Sequence, residues 1–342
     1  MRFQPLRAWR IPAVALLALL LLALTTPVVE AAPTDASFGV FVRLGDASPG
    51  TFDQVSNGLR SAIEMSDWQL LAAYDAGTGE ECSYRARVYV LHSPAYDEAV
   101  MAYGHLAAFA LPVRVAVYED EGGVHISAVN APSLTRTIVS EESFGQSSAA
   151  VVDSIAQLVG GIDGVTASAV QYGQMRDAGL ISKTMGIMAG GPFPSKVETI
   201  VVVDSNDVTA VADQIVAGFE ELADDWKWKI RPVYKLDLSA HGVAVVGVTS
   251  DEVEARSFGI VGEGIESDRS GYACPGIAHS ASYPVELVLV HDGDEVKVLI
   301  VDTMFRMKMY FEDAGKVAFA MNMRMPASIE NEIRDKVEES VQ

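Results

Sequence analysis

The chain has 342 residues, 49% of them hydrophobic and 21% charged, with a formal net charge of -21. That is core material for more than one domain, and the acidic balance excludes nucleic acid and anionic lipid head groups as partners recruited by bulk charge. The two cysteines, Cys82 and Cys274, show neither CxxC nor CxxCH spacing, so there is no zinc signature and no attachment site for covalent haem.

From the N-terminus, Arg2, Arg7 and Arg10 precede an apolar run from Ile11 to Leu24, and Val29 and Ala31 then offer small residues for cleavage. The run is shorter than the ~20 residues a spanning helix needs. Residues 1–32 are therefore expected to be a secretory signal peptide that sends the chain to the periplasm or outside the cell; a retained N-terminal membrane anchor is the alternative. Cleavage after Ala31 removes three arginines and Glu30 and moves the net charge to -23. No other membrane segment is expected. In an oxidising compartment Cys82 and Cys274 either pair or stay as two separate thiols.

The first unit, residues 33–160, begins with a strand, "FGVFVRL", and a helix, "FDQVSNGLRSAIEMSDW". A second strand, "RARVYVL", then runs into Ser93-Pro94, an N-cap with proline in the first turn. "LPVRVAVYEDEGGVHISAVN" (111–130) follows, two apolar runs around an acidic glycine turn, which predicts a hairpin. "SSAAVVDSIAQLVGG" closes the unit as a helix.

Residues 161–195, glycine-bounded, predict a linker containing one helix. Residues 196–342 then repeat the same series. "ETIVVVD" and "VTAVADQIVAGFEELADDW" answer the first strand and helix, with Asp225-Trp226 set against Asp67-Trp68. "GVAVVGV" leads to Ser250, and "YPVELVLVHDGDEVKVLIVD" aligns with 111–130 without a gap, Pro112 on Pro284 and Arg114 on Glu286. The second unit holds an insertion near 262–278. Its closing helix, "SIENEIRDKVEESV", is expected to be capped by Ser328 and to bury Ile329, Ile333 and Val337. Each unit thus reads as α+β, a mainly antiparallel sheet with helices on one face.

"FALPVRVAVYEDEGGVHISAVNAPSL", with its Leu-Pro-hydrophobic-Arg strand, Tyr-Glu-Asp turn and Asn-containing stop, resembles the bacterial and archaeal domain-of-unknown-function family numbered 302. The resemblance covers roughly 38–160 and, less closely, 196–340, where Glu286 replaces arginine. It implies small α+β domains that pair as dimers, and no catalytic residues. A tandem chain of such units is expected to pack as an intramolecular pseudo-dimer, since tethering raises the effective concentration of the interface. Two independent beads on a linker is the other reading.

Candidate chemistry is sparse. His92, Asp97 and His105 lie at a strand end and along the helix expected after Ser93-Pro94, where they could form an acid/base or metal pair, although surface or core roles are commoner for such residues. No histidine recurs in the aligned repeat, so a duplicated active site is not expected. Cys274 and His279 share one loop and could offer two metal ligands, or Cys274 could pair with Cys82. Met304, Met307, Met309, Met321, Met323 and Met325 crowd into 22 residues. Read as a hairpin around "DAG", the odd-numbered Met307, Met309, Met321 and Met323 face one way, with Arg306, Lys308, Lys316 and Arg324 as a basic patch on the other face. Read as two helices, with Asp302 as N-cap, they surround buried helical faces. Packing or groove lining is the ordinary use of such residues; copper(I) thioether binding and axial ligation of a non-covalent haem are alternatives. "GQSSA" is an incomplete nucleophile elbow, and no GxGxxG or P-loop follows a strand.

The composite expectation is an exported, non-catalytic protein that binds an unidentified small-molecule or protein ligand. A periplasmic copper or haem accessory protein is the alternative.

Overall fold

A computed structural model describes residues 37–177, 191–222, 226–264, 271–314 and 316–342. The proposed signal segment and the middle of the linker lie outside these residues. In chain order the first half comprises β1 (Ser37–Phe38), β2 (Phe41–Ala47), α1 (Phe52–Glu64), β3 (Gln69–Asp75), β4 (Ala86–His92) and α2 (Pro94–Met101). It continues through a 3-10 segment, His105–Ala110, to β5 (Val113–Asp120), β6 (Gly123–Val129), α3 (Ala131–Ile138), α4 (Gly145–Gly160), β7 (Thr166–Tyr172) and β8 (Arg176–Asp177). After a 3-10 turn at Phe193–Lys196, the second half comprises β9 (Val197–Asp204), α5 (Val208–Glu221), β10 (Arg231–Leu238), β11 (Val243–Thr249) and α6 (Asp251–Gly264). A second long 3-10 segment, Pro275–Ser282, leads to β12 (Val285–Asp292), β13 (Glu295–Val301), α7 (Thr303–Phe311), α8 (Lys316–Met321) and α9 (Arg324–Ser340).

The strands form two large antiparallel sheets, ordered β3-β4-β5-β6-β2-β7 and β10-β11-β12-β13-β9, while β1 pairs with β8 in a separate two-stranded sheet. Apart from β7 the two orders are the same, element for element, and the fold is α+β. Local chemistry explains the hairpins at the centre of each sheet. Asp292 pairs with Glu295 across a two-residue turn in which Gly293 holds φ +69°, a conformation glycine adopts without a Cβ clash. Helix starts follow their caps. Asp302 accepts from the Phe305 N–H at 2.7 Å, and the Ser250 hydroxyl accepts from the Val253 N–H at 3.0 Å.

Burial shows what each sheet faces. Strands β6 and β11 are buried at every position, so they are covered on both faces rather than alternating between core and water. Helices α1 and α4 cover one face of the first sheet, α5 and α9 that of the second. The opposite faces meet each other. Segment 105–110 of the first half packs on β11 and β12, while segment 275–282 of the second half packs on β4, β5 and β6. This exchange is reciprocal, so each half lends the other part of its core and the halves are not independent beads. Cys82 and Cys274 are joined in a disulfide across the same boundary, with Cα atoms 5.8 Å apart. Close backbone approach reinforces it. A Cβ on Gly77 would lie 2.3 Å from the Asp251 carbonyl oxygen, so glycine is what lets the first half meet the start of α6.

Several expectations are corrected. Residues 166–172, placed in a linker, form β7, which extends the first sheet beside β2; among the described residues of 161–195 there is no helix longer than the 3-10 turn, and 178–190 lie outside them. The counterpart of Trp68 is Trp228 rather than Trp226. Trp68 donates its indole N–H to Ser154 on α4 at 2.9 Å, and Trp228 donates to Ser328 on α9 at 3.0 Å. Ser328 therefore does not cap α9, which begins four residues earlier at Arg324, although Ile329, Ile333 and Val337 are buried on its inner face as expected. The described residues of 303–325 form helices and turns, not a hairpin, because Asp302 supplies the start signal that a second strand would lack.

Candidate functional site

Two places gather polar groups or open space. The first is a buried ionic cluster between the halves. Arg114 on β5 reaches across to Glu286 on β12, to the Tyr310 hydroxyl, and to the carbonyls of Ser282 (3.2 Å) and Pro284 (3.0 Å). Arg306 on α7 donates to the same two carbonyls, at 2.6 and 2.7 Å, and lies 3.5 Å from the second oxygen of Glu286. Two guanidinium groups thus share one carboxylate, all nearly excluded from water. Burial works against a charged Arg114, but Glu286 and the hydroxyls of Tyr310 and Tyr234 outweigh it and raise the pKa. Burial also raises Tyr234, with Glu286 adding to it and the two arginines opposing. The cluster locks the interface; the space beside it, about 20 Å³, has room for one water and no substrate.

The basic patch that the hairpin reading implied loses two of its members to ion pairs. Arg306 belongs to this cluster, and Lys308 pairs with Glu312 one helical turn on, at 3.3 Å.

Near the same boundary Glu254, fully buried on α6, accepts from the Thr249 hydroxyl at 2.6 Å and from the Gly77 N–H of the first half at 2.7 Å. Burial pushes its carboxyl up to about 7, against the pull of those two donors. Burial, then the Glu254 charge, pushes the neighbouring Tyr74 hydroxyl well above its usual value. Nothing in the local sequence marks this residue among the acidic residues that follow Ser250; only the tertiary packing singles it out.

The second place is open. A cavity of about 350 Å³ lies between Tyr103–Ala107, the end of α3 with the residues to Glu141, and Pro192–Pro194. Its walls are largely apolar, chiefly Leu106, Ile138, Val139 and Phe193; of its polar groups Thr137 is buried, and His105, Ser140 and Glu141 are exposed. Phe193 is fixed by edge-on packing against Phe109, with ring centroids 5.8 Å apart, and by Phe305 at 6.2 Å. The Tyr103–Ser143 hydroxyl contact, 2.9 Å, holds the opposite wall. A volume of this size, apolar with a few polar groups, lies within the range of small-molecule sites.

The candidate side chains disperse. His105 lines this cavity and lies in the 3-10 segment, beyond the end of helix α2. His92 does not line it; its Nδ1 is 2.9 Å from Asp97, whose carboxyl burial raises while His92 opposes. Of the three, His92 and Asp97 are thus in contact, while His105 stands in the cavity wall. Cys274 is bonded to Cys82 and offers no thiolate. His279 is buried among Phe41, Tyr172 and Phe311, and its Nε2 is 2.9 Å from Asp313. Burial alone would raise Asp313, but His279 and Arg176 hold it below the usual carboxylate range. Cys274 and His279 are thus spent on structure, which corrects their reading as two metal ligands.

The methionines do not form one set either. Met309 and Met325 are in the core, Met304 and Met307 are half-buried, and Met321 and Met323 stand 78% and 42% exposed. The unforeseen contacts include His125, whose ring nitrogens lie 2.6 Å from Asp46 and 2.9 Å from Asp120, tying β6 to β2 and β5. Among the described residues no group of three or more His, Cys, Asp or Glu is arranged to hold a metal ion, and no helix is long and apolar enough to cross a membrane.

Residues 46–161 match the family model described as "Domain of unknown function DUF302". The first half therefore carries the resemblance to that family. Among solved structures, a crystal structure of an uncharacterized conserved protein DUF302 from Bacillus stearothermophilus is 12% identical, with 35% of this chain and 96% of that one covered, at a TM-score of 0.31. No curated protein matches the chain.

Proposed function

We propose that the chain is an exported, non-catalytic binding protein whose second half is a diverged sibling of the first, and that it takes a small amphipathic ligand in the cavity between Tyr103–Ala107 and Pro192–Pro194. The observation that carries this reading is the cavity itself: about 350 Å³, apolar within and polar at His105, Ser140 and Glu141. Apolar walls favour a hydrophobic body by burial, and the polar groups orient a polar end. The disulfide between the halves, together with the arginines and apolar run at residues 2–24, supports export.

Anilinonaphthalene sulfonate, an amphipathic fluorophore, is a suitable probe. The unaltered protein is expected to bind it, and Ser140→Trp, which fills the mouth from an exposed position, is expected to weaken binding about tenfold or more, about 1.4 kcal/mol, with the melting temperature unchanged. Equal binding by both proteins would place the probe elsewhere and remove the cavity as the site.

A further inference from the structure

Arg114 is the second residue of β5 and Glu286 the second residue of β12. The registers agree: Arg114 stands opposite Val90, the fifth residue of β4, and Glu286 opposite Gly247, the fifth residue of β11. They are one position seen in two halves, and they touch each other. A position that meets its own counterpart lies on the axis relating two partners. The reciprocal packing of 105–110 on β11 and β12, and of 275–282 on β4, β5 and β6, is disposed about that axis in the same way.

The sign difference at this position has a consequence for partner choice. If the first half paired with another copy of itself, arginine would meet arginine; if the second did, glutamate would meet glutamate. Both contacts would be buried, with side-chain exposures of 4% and 6% in the pairing observed. Buried like charges left without a compensating partner cost several kcal/mol, which disfavours each like pairing relative to the mixed one. We propose that Arg114 and Glu286 act as a pairing code, so that the surface each half buries accepts only the other kind of half, from the same chain or from a second copy, and rejects its own kind.

Full-length chains carrying Arg114→Glu or Glu286→Arg test this. Each alone places like charges on the axis. Mixed, they restore opposite charges at both contacts only if the chains exchange halves, and the Cys82–Cys274 bond then joins two chains. Each variant and their equimolar mixture would be refolded from denaturant under oxidising conditions and compared by size exclusion and non-reducing electrophoresis. The mixture is expected to give about tenfold more reduction-sensitive dimer, containing both chains, than either variant alone. A variant that fails to fold alone leaves the mixture readable, because only there are both contacts complete. A mixture with no more dimer than its components would overturn the code, as would single variants that remain monomers with the unaltered melting temperature.

Discussion

Replacing Glu286 with alanine is expected to lower the unfolding free energy by about 3–5 kcal/mol, the range for removing one partner of a buried pair, read as a shift of the urea midpoint at constant slope. The cluster makes the direction asymmetric. Among the described residues Glu286 is the only carboxylate paired with the buried guanidinium groups of Arg114 and Arg306, so its loss strands both. Arg114→Met leaves Arg306 beside Glu286 with the charges balanced, and is expected to cost clearly less. Equal costs for the two variants would show that the excess positive charge in the cluster is not what matters.

Stability should also fall as pH rises through the neutral range, and Glu254 is the main cause. Its carboxyl is raised from 4.5 to about 7 in the folded chain, so the folded state holds the proton more tightly than the unfolded one. That contribution is fully present below about 4.5, declines as pH rises towards 7, and is gone above it. Over this interval the loss is at most about 3 kcal/mol, at 1.36 kcal/mol per pH unit. Other buried carboxyls, Asp97 among them, titrate too. The informative quantity is therefore the difference between the unaltered protein and Glu254→Gln, which keeps an acceptor for the Gly77 N–H and cannot ionise. That difference is expected to shrink with rising pH in favour of the variant. A constant difference from pH 4.5 to 8 would mean that Glu254 is ionised throughout.

The features legible in the sequence were those decided by neighbours along the chain. Glycine turns set both hairpins, Asp302 and Ser250 announced helix starts, and the spacing of Ile329, Ile333 and Val337 gave the buried face of α9. What remained hidden depends on distant partners. Strand β7 has mostly exposed side chains and small residues, so it carries no apolar signature; its place is set by pairing with β2. The two long 3-10 segments are largely buried because each packs on the other half, which no local pattern can express. The substitution of Glu286 for arginine was visible as a departure from the repeat, but its sign acquires meaning only once the two residues face each other. The cavity was invisible for the same reason, since Ile138 and Phe193 are remote in sequence and His105 gave no hint of either.

Hydrogen exchange measured across a urea series on the unaltered chain tests most directly whether the two halves are one interlocked body. The reciprocal insertion of 105–110 and 275–282 predicts that the slowest amides of β4–β6 and those of β11–β13 open with a common free energy and a common urea dependence. Two separate isotherms, one for each sheet, would contradict it.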